Sequence, residues 1–279
     1  MLEKQHHPVA FDITQRVKVH DKQILYVCNS DKEAQFLKNE LLFFFETDEI
    51  GYYSDREILP YDRFSTTESI IQNRIQLLNS DKNSFKVVVT SCINLFERLP
   101  SKSFFQSRKK YIIGDLLSIK DLVLALEELN YQRVDKVESI NQFTVRGGVV
   151  DFYSGFISKP VRIEFFDNEI DEIREFDPGT QHMVGKLNEF QLFTGSELSL
   201  DETSISDFKS LWRDFFPTHD ERHCEIFKAI ANGKIIEGYE IYSPIIHRNH
   251  SNILEHFDGF DLIISEDINN TLSEYYLFC

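Results

Sequence analysis

Residues 143–176, FTVRGGVVDFYSGFISKPVRIEFFDNEIDEIREF, decide how the middle of this chain folds. Val161-Arg162-Ile163-Glu164-Phe165-Phe166 alternates, which sets Val161, Ile163 and Phe165 on one face of a strand and Arg162, Glu164 and Phe166 on the other. Asp167-Asn168 fits a two-residue turn, and Glu169–Phe176 runs back as the partner strand. Upstream, Gly147-Gly148 separates Phe143–Arg146 from Val149–Tyr153 and implies a second hairpin. Phe166 is the odd residue, a large aromatic on the face that carries Arg162 and Glu164. An aromatic beside an arginine on a polar sheet face suits a binding surface. Packing beneath a neighbouring loop is the other reading, since isolated surface aromatics are ordinary.

Working outward, residues 1–107 read as α/β. Ile24–Cys28 is a short apolar run of the buried-strand kind. Asn29-Ser30-Asp31 offers N-caps to a helix with Ala34, Leu37, Leu41 and Phe44 on one stripe. Ile50–Tyr53 is the next strand, and the proline in Leu59–Ser65 breaks regular structure. Thr66 or Thr67 caps a helix with Ile70, Ile71, Arg74, Leu77 and Leu78 in phase. Phe85–Thr90 is a further buried strand, and Ser91 is expected to open a helix through Leu99. This alternation predicts parallel βαβ units.

Residues 108–196 read as an inserted α+β domain. Arg108-Lys109-Lys110 is expected to be a solvated linker, and Tyr111–Gly114 a strand. Ser118 starts a helix with Leu122, Leu126 and Leu129 in phase; the hairpins follow, and Phe190–Phe193 closes the sheet. Residues 197–279 return to helices and are expected to complete the α/β region. Asp201–Phe216 is amphipathic, with Ile205, Phe208, Leu211, Trp212 and Phe215 on one stripe, and Asp220–Ala231 is a second helix. Gly259–Ser265 is a strand ending in Glu266-Asp267. The fold class predicted is α/β, a degenerate helicase-like parallel sheet with flanking helices, interrupted by the small antiparallel-sheet domain.

Composition narrows the function. With 46 acidic against 30 basic residues the net charge is −16, which opposes tight nonspecific binding to a phosphate backbone. Hydrophobic content of 42 % over 279 residues supports a real core. Cys28, Cys92, Cys224 and Cys279 form no CxxC pair and read as free thiols in a reducing compartment. No secretory leader and no membrane-length apolar stretch is apparent, so the expectation is a cytoplasmic protein with no membrane contact.

No catalytic constellation emerges, and none of the cofactor signatures is present. Gly185-Lys186-Leu187 and Gly233-Lys234-Ile235 lack the hydroxyl and the glycine-rich turn of a phosphate loop, and GxGxxG is missing. Glu266-Asp267 has the shape of a helicase strand end that holds magnesium; without a phosphate loop it reads as a solvated strand end. His219, Glu221, His223 and Cys224 have metal-like spacing, but His-Asp-Glu-Arg-His places Asp, not Glu, after the first histidine of the zinc-protease pattern. His6-His7 and His247/His250 lack partners in sequence. The expectation is a chain with no metal, no cofactor and no enzymatic activity.

Three stretches resemble the N-terminal, UvrB-like module of bacterial transcription-repair coupling factor. They are Leu59–Ser65 with the helix ending Asn73–Leu78, Phe143–Asp151, and Arg162–Asp171; Ser210–Asp214 and Gly238-Tyr239-Glu240 add to the likeness. It covers nearly the whole chain in order. The resemblance implies recruitment of the excision-repair protein UvrA, and the family's UvrA-contacting residues fall on Arg146, Arg162 and Phe166. RNA polymerase and DNA would be engaged only through polymerase-binding and translocase domains that the family carries downstream of Cys279. A UvrB-type ATP-dependent DNA-binding helicase fragment is the rival, and the missing phosphate loop and the negative charge count against it.

Overall fold

The computed structural model describes residues 8–58, 65–80, 84–106, 109–198, 200, 202–218, 221, 223–234, 236–246, 250–266, 268–269 and 271–273. In chain order the elements are α1 (Val9–His20), β1 (Ile24–Cys28), α2 (Asp31–Leu41), β2 (Ile50–Tyr53), α3 (Glu68–Asn79), β3 (Val87–Ser91), α4 (Lys102–Gln106), β4 (Lys109–Ile112), α5 (Ile119–Glu128), β5 (Gln132–Arg133), β6 (Gln142–Arg146) and β7 (Val149–Tyr153). There follow β8 (Val161–Phe166), β9 (Glu169–Phe176), β10 (Met183–Leu187), β11 (Glu189–Leu192), α6 (Glu202–Phe215), α7 (Glu225–Ala231), α8 (Ser243–Ile246), α9 (Ile253–His256) and β12 (Asp261–Ile264). They form two compact units, Met1–Lys102 with Ile235–Cys279, and Ser103–Lys234.

The first unit is built on a parallel sheet in the order β12-β1-β3-β2. Every residue of β1 and β3 is buried, as a sheet covered on both faces requires. Ser30 caps α2 by accepting from the Glu33 amide, and Ala34, Leu37 and Leu41 fill the predicted stripe. Phe44 departs from that expectation: α2 ends at Leu41, Phe44 is exposed, and Phe45 takes the buried place. The helix expected from Ser91 is only a 3-10 turn at Ile93–Phe96. Buried Asn94 spends its amide on the Tyr53 carbonyl, Thr90 Oγ1 and Asp55 Oδ1, contacts that hold this segment to the sheet edge.

The second unit carries a six-stranded sheet in the order β10-β9-β8-β7-β6-β5, antiparallel except for β5 beside β6. Both predicted hairpins are present, and Gly147 at φ +58° and Asp167 at φ +56° make their turns; glycine and aspartate tolerate the left-handed region. Ser118 caps α5, which lays Leu122, Ala125 and Leu126 against Phe143, Val150, Phe152, Ile163 and Ile173. Each of the leucine, valine, isoleucine and phenylalanine side chains contributes about 1.5–3 kcal/mol, and together they fix which face of the sheet looks inward. Two sequence expectations change here. Lys109 and Lys110 belong to a strand rather than a linker, and that strand, β4, pairs with β11 in a separate two-stranded sheet.

α6 and α7 also lie in this second unit, so residues 197–234 group with the middle of the chain and the first unit resumes at Ile235. Phe208, Trp212 and Phe227 join the two helices, with ring centroids 5.4–5.6 Å apart. Phe215 faces solvent instead of completing that stripe, and α7 begins at Glu225, later than predicted.

Candidate functional site: the outer face of the antiparallel sheet

Directly paired residues of an antiparallel sheet point to the same side. Arg146 pairs Val149, Val149 pairs Glu164, and Glu164 pairs Glu172; one row over, Thr144, Asp151, Arg162 and Arg174 are successive partners. Arg146 and Arg162 therefore share the face opposite α5. The register shifts between Glu164 and Phe165, yet Phe165 still packs on the core and Phe166 is 73 % exposed. All three residues singled out in the sequence stand on one face. The alternation in β8 is enough for Arg162 and Phe166; Arg146 needs the β6–β7–β8 register, which no local pattern supplies.

Arg162 is held on two sides. Its Nε and Nη2 donate to Asp151 Oδ1 and Oδ2, each at 2.7 Å, and its guanidinium lies 4.8 Å from the Phe176 ring centroid. Asp151 is only 2 % exposed, so the pair is a half-buried fork whose acid is sealed from water. The bond to Asp151 raises the arginine pKa further, outweighing desolvation. Arg174 stands opposite Arg162, an unfavourable like-charge pairing offset by ion pairs from Arg174 to Glu172 and, at 3.7 Å, to Glu164. Lys186 extends the chain of charges to Glu172 at 2.8 Å.

Arg146 differs from its neighbours. It is exposed, it donates from Nη2 to the Asp135 carbonyl at 3.1 Å, and it has no carboxylate partner among the described residues. Phe166 has no ring partner among them either, and its exposure excludes packing beneath a loop. The face is thus self-neutralised in its centre, with a cation that has no acidic partner among the described residues and a bare aromatic toward its margins. Such a surface can bury apolar area and one ion pair against another protein.

The strand-end edge of the parallel sheet is the place where open α/β folds hold nucleotides. There the start of α2 is occupied by the chain's own acids. Glu33 Oε2 accepts from the Asn29 amide at 3.2 Å, while Asp31 accepts from the Tyr52 hydroxyl at 2.7 Å and from the Asp55 amide at 3.0 Å. Burial pushes the Asp55 carboxyl up to about 6 and the Cys28 thiol up to about 12. Fully buried Arg74 donates to Glu97, to the Ser54 carbonyl and to the Tyr53 hydroxyl, with its guanidinium 4.0 Å from the Tyr53 ring centroid. In the sequence, Arg74 is in phase with the leucines of the α3 stripe, and an arginine in that position is the signal of a buried polar network.

Other sequence candidates separate. Glu221 pairs with Arg213 at 2.7 Å, and no group of three or more His, Cys, Asp or Glu among the described residues could hold a metal ion. His6, His7, His219, His247, Asp267, Cys279 and residues 59–64 lie outside the described residues. Gly238-Tyr239-Glu240 forms a clasp: buried Glu240 accepts from the Ser65 hydroxyl and the Thr66 amide, both at 3.1 Å. No helix among the described residues is long and apolar enough to cross a membrane.

Comparison with known proteins agrees with the resemblance read from the sequence. Residues 111–198, which span the antiparallel sheet and α5, match the family model of the UvrB interaction domain. The chain is 27 % identical over 267 residues to the transcription-repair-coupling factor of Haemophilus influenzae, covering 93 % of this chain and 23 % of that protein. It is 30 % identical over 209 residues to the Escherichia coli K12 protein of the same name, 71 % of this chain and 18 % of the relative. It is 24 % identical over 279 residues to the Staphylococcus aureus one, 94 % and 24 %. The chain thus spans about a quarter or less of the curated relatives it matches.

Proposed function

We propose that this chain, a relative of the transcription-repair-coupling factors, is a non-catalytic adaptor module that recruits UvrA to lesion-stalled RNA polymerase in nucleotide excision repair. UvrA docks on the outer face of the antiparallel sheet, where Phe166 is the apolar anchor and Arg146 and Arg162 supply charge. The observation that carries the reading is the coincidence of the UvrB interaction domain, residues 111–198, with a sheet face that carries Arg146 and Arg162 and exposes Phe166 at its margin. RNA polymerase and DNA are partners through other domains of the coupling factor. The acids at the start of α2 work against a nucleotide-driven reading, because Asp31 and Glu33 stand where a helix N-terminus would meet a phosphate. Titration of the chain with UvrA tests the proposal, with Phe166→Ala and Arg146→Ala alongside. Binding that both substitutions weaken supports it; a native chain that fails to bind sinks it.

A further inference from the structure

Leu116 is 85 % exposed, although its neighbour Leu117 is buried and already supplies the core contact of this turn. Its backbone is not free. The Leu117 amide donates to the Asn168 carbonyl at 2.8 Å, Ile170 to Asp115 at 3.0 Å, and Gly114 to Ile170 at 2.8 Å, while the Asp115 carboxylate accepts from the Ile112 amide at 2.8 Å. Gly114, at φ +90°, makes the turn that brings the segment alongside β9. The first two bonds frame an antiparallel bridge between Leu116 and Glu169, the geometry in which paired side chains point to one side.

Glu169 is also the partner of Phe166 across the β8–β9 hairpin. Leu116, Glu169 and Phe166 therefore form one row on the face that carries Arg146 and Arg162. The two apolar residues stand two strand spacings apart, about 10 Å. Glu169 leans over Gly114, its Oε1 being 3.9 Å from where a Cβ would stand there, so its carboxylate does not cover Phe166.

We propose that Leu116 is a second apolar anchor of the docking face, set beside Phe166 across Glu169. The inference rests on the reading that this face docks UvrA. The occupant is a UvrA surface with two apolar sockets about 10 Å apart and a carboxylate for Arg146, the face's cation with no acidic partner among the described residues. A leucine on an already fixed backbone loses little freedom on docking, which is why its burial converts efficiently into affinity.

The test is a titration of the full chain with UvrA, using Leu116→Ala, Leu116→Met, Phe166→Ala and Leu124→Ala. Leu124 is 46 % exposed on α5, behind the sheet, and serves as the control for loss of an exposed leucine. Leu116→Ala is expected to weaken binding about tenfold, Leu116→Met to stay within about threefold because it conserves volume, and Leu124→Ala to match the native chain. Thermal midpoints of all four are compared with the native chain, since both leucines are exposed and their removal should leave the fold intact. If Phe166→Ala loses binding while Leu116→Ala stays within about twofold, the anchor assignment falls and the docking reading survives. If the native chain does not bind UvrA, both fall together. If Leu116→Ala dissolves a self-associated form of the chain and leaves UvrA binding unchanged, the row is a contact between copies and the inference is overturned.

Discussion

Arg162→Ala tests how the proposed docking face is built before it tests what binds there. The substitution withdraws both bonds of the fork and the contact with Phe176, leaving the Asp151 carboxylate, 2 % exposed, without its counter-charge. Breaking one side of a buried pair costs about 3–5 kcal/mol. Because the Arg162 side chain is 21 % exposed, water reaches part of the vacated space, and the low end, about 3 kcal/mol, applies. Asp151→Ala is milder, about 1–2 kcal/mol, since the freed guanidinium can turn to solvent. The double variant then costs well below the sum, with a coupling of about 2 kcal/mol.

Trp212 is the chain's one tryptophan, is buried, and lies in the same unit as the sheet, so its fluorescence during urea unfolding reads this unit. The midpoints should shift with the slope unchanged. An Arg162→Ala cost below about 0.5 kcal/mol, with single costs that simply add, would refute the sealed-acid argument. The result governs the binding assay as well: a loss of UvrA affinity in Arg162→Ala can be assigned to the interface only after its stability cost is known.

The remaining expectations are simpler. Phe166→Ala should change stability by less than about 0.5 kcal/mol and weaken UvrA binding by about 2 kcal/mol or more; comparing urea midpoints with a titration separates the two, and equal losses in both would deny it an interface role. Equilibrium dialysis with ATP and magnesium should find no saturable binding, given Asp31 and Glu33 at the start of α2; magnesium-dependent affinity would revive the helicase-type reading. Burial lifts the Asp55 carboxyl to about 6, above its unfolded value of 3.8. The folded chain therefore holds a proton the unfolded chain releases, so this site gains stability as pH falls from about 7 toward 4 and loses it on the way back. Asp55→Asn should raise stability at pH 7 and flatten that slope, measured as the difference between variant and native urea midpoints by far-UV circular dichroism at several pH values; identical slopes would contradict it.

Much of this was legible locally. Period-two alternation in residues 161–166 and the turn chemistry of Gly147-Gly148 and Asp167-Asn168 lie within a few residues of what they specify. That is why the hairpins and the facing of Arg162 and Phe166 could be read. Arg146 and Leu116 could not, because each reaches the face through pairing with a strand that only the register identifies. The same holds in the first unit: the partners of Arg74, namely Tyr53, Ser54 and Glu97, lie about twenty residues to either side. Ser91 suggests the start of a helix through Leu99, but the side-chain amide of Asn94 ties this segment to the sheet edge as a short 3-10 turn.

The interrupted first unit has a consequence for synthesis on the ribosome. β1 is flanked by β3 on one side and by β12 on the other, and β12 is made only after the entire second unit. At about 5–20 residues per second, the β12 side of β1 waits on the order of 10 to 50 s for its neighbour. During that interval Ile24–Cys28 presents an open, apolar strand edge, the kind that recruits other chains. The antiparallel sheet meanwhile closes from neighbouring hairpins. The second unit can thus close before β12 completes the first, and the open edge of β1 needs protection from other copies of the chain throughout that interval.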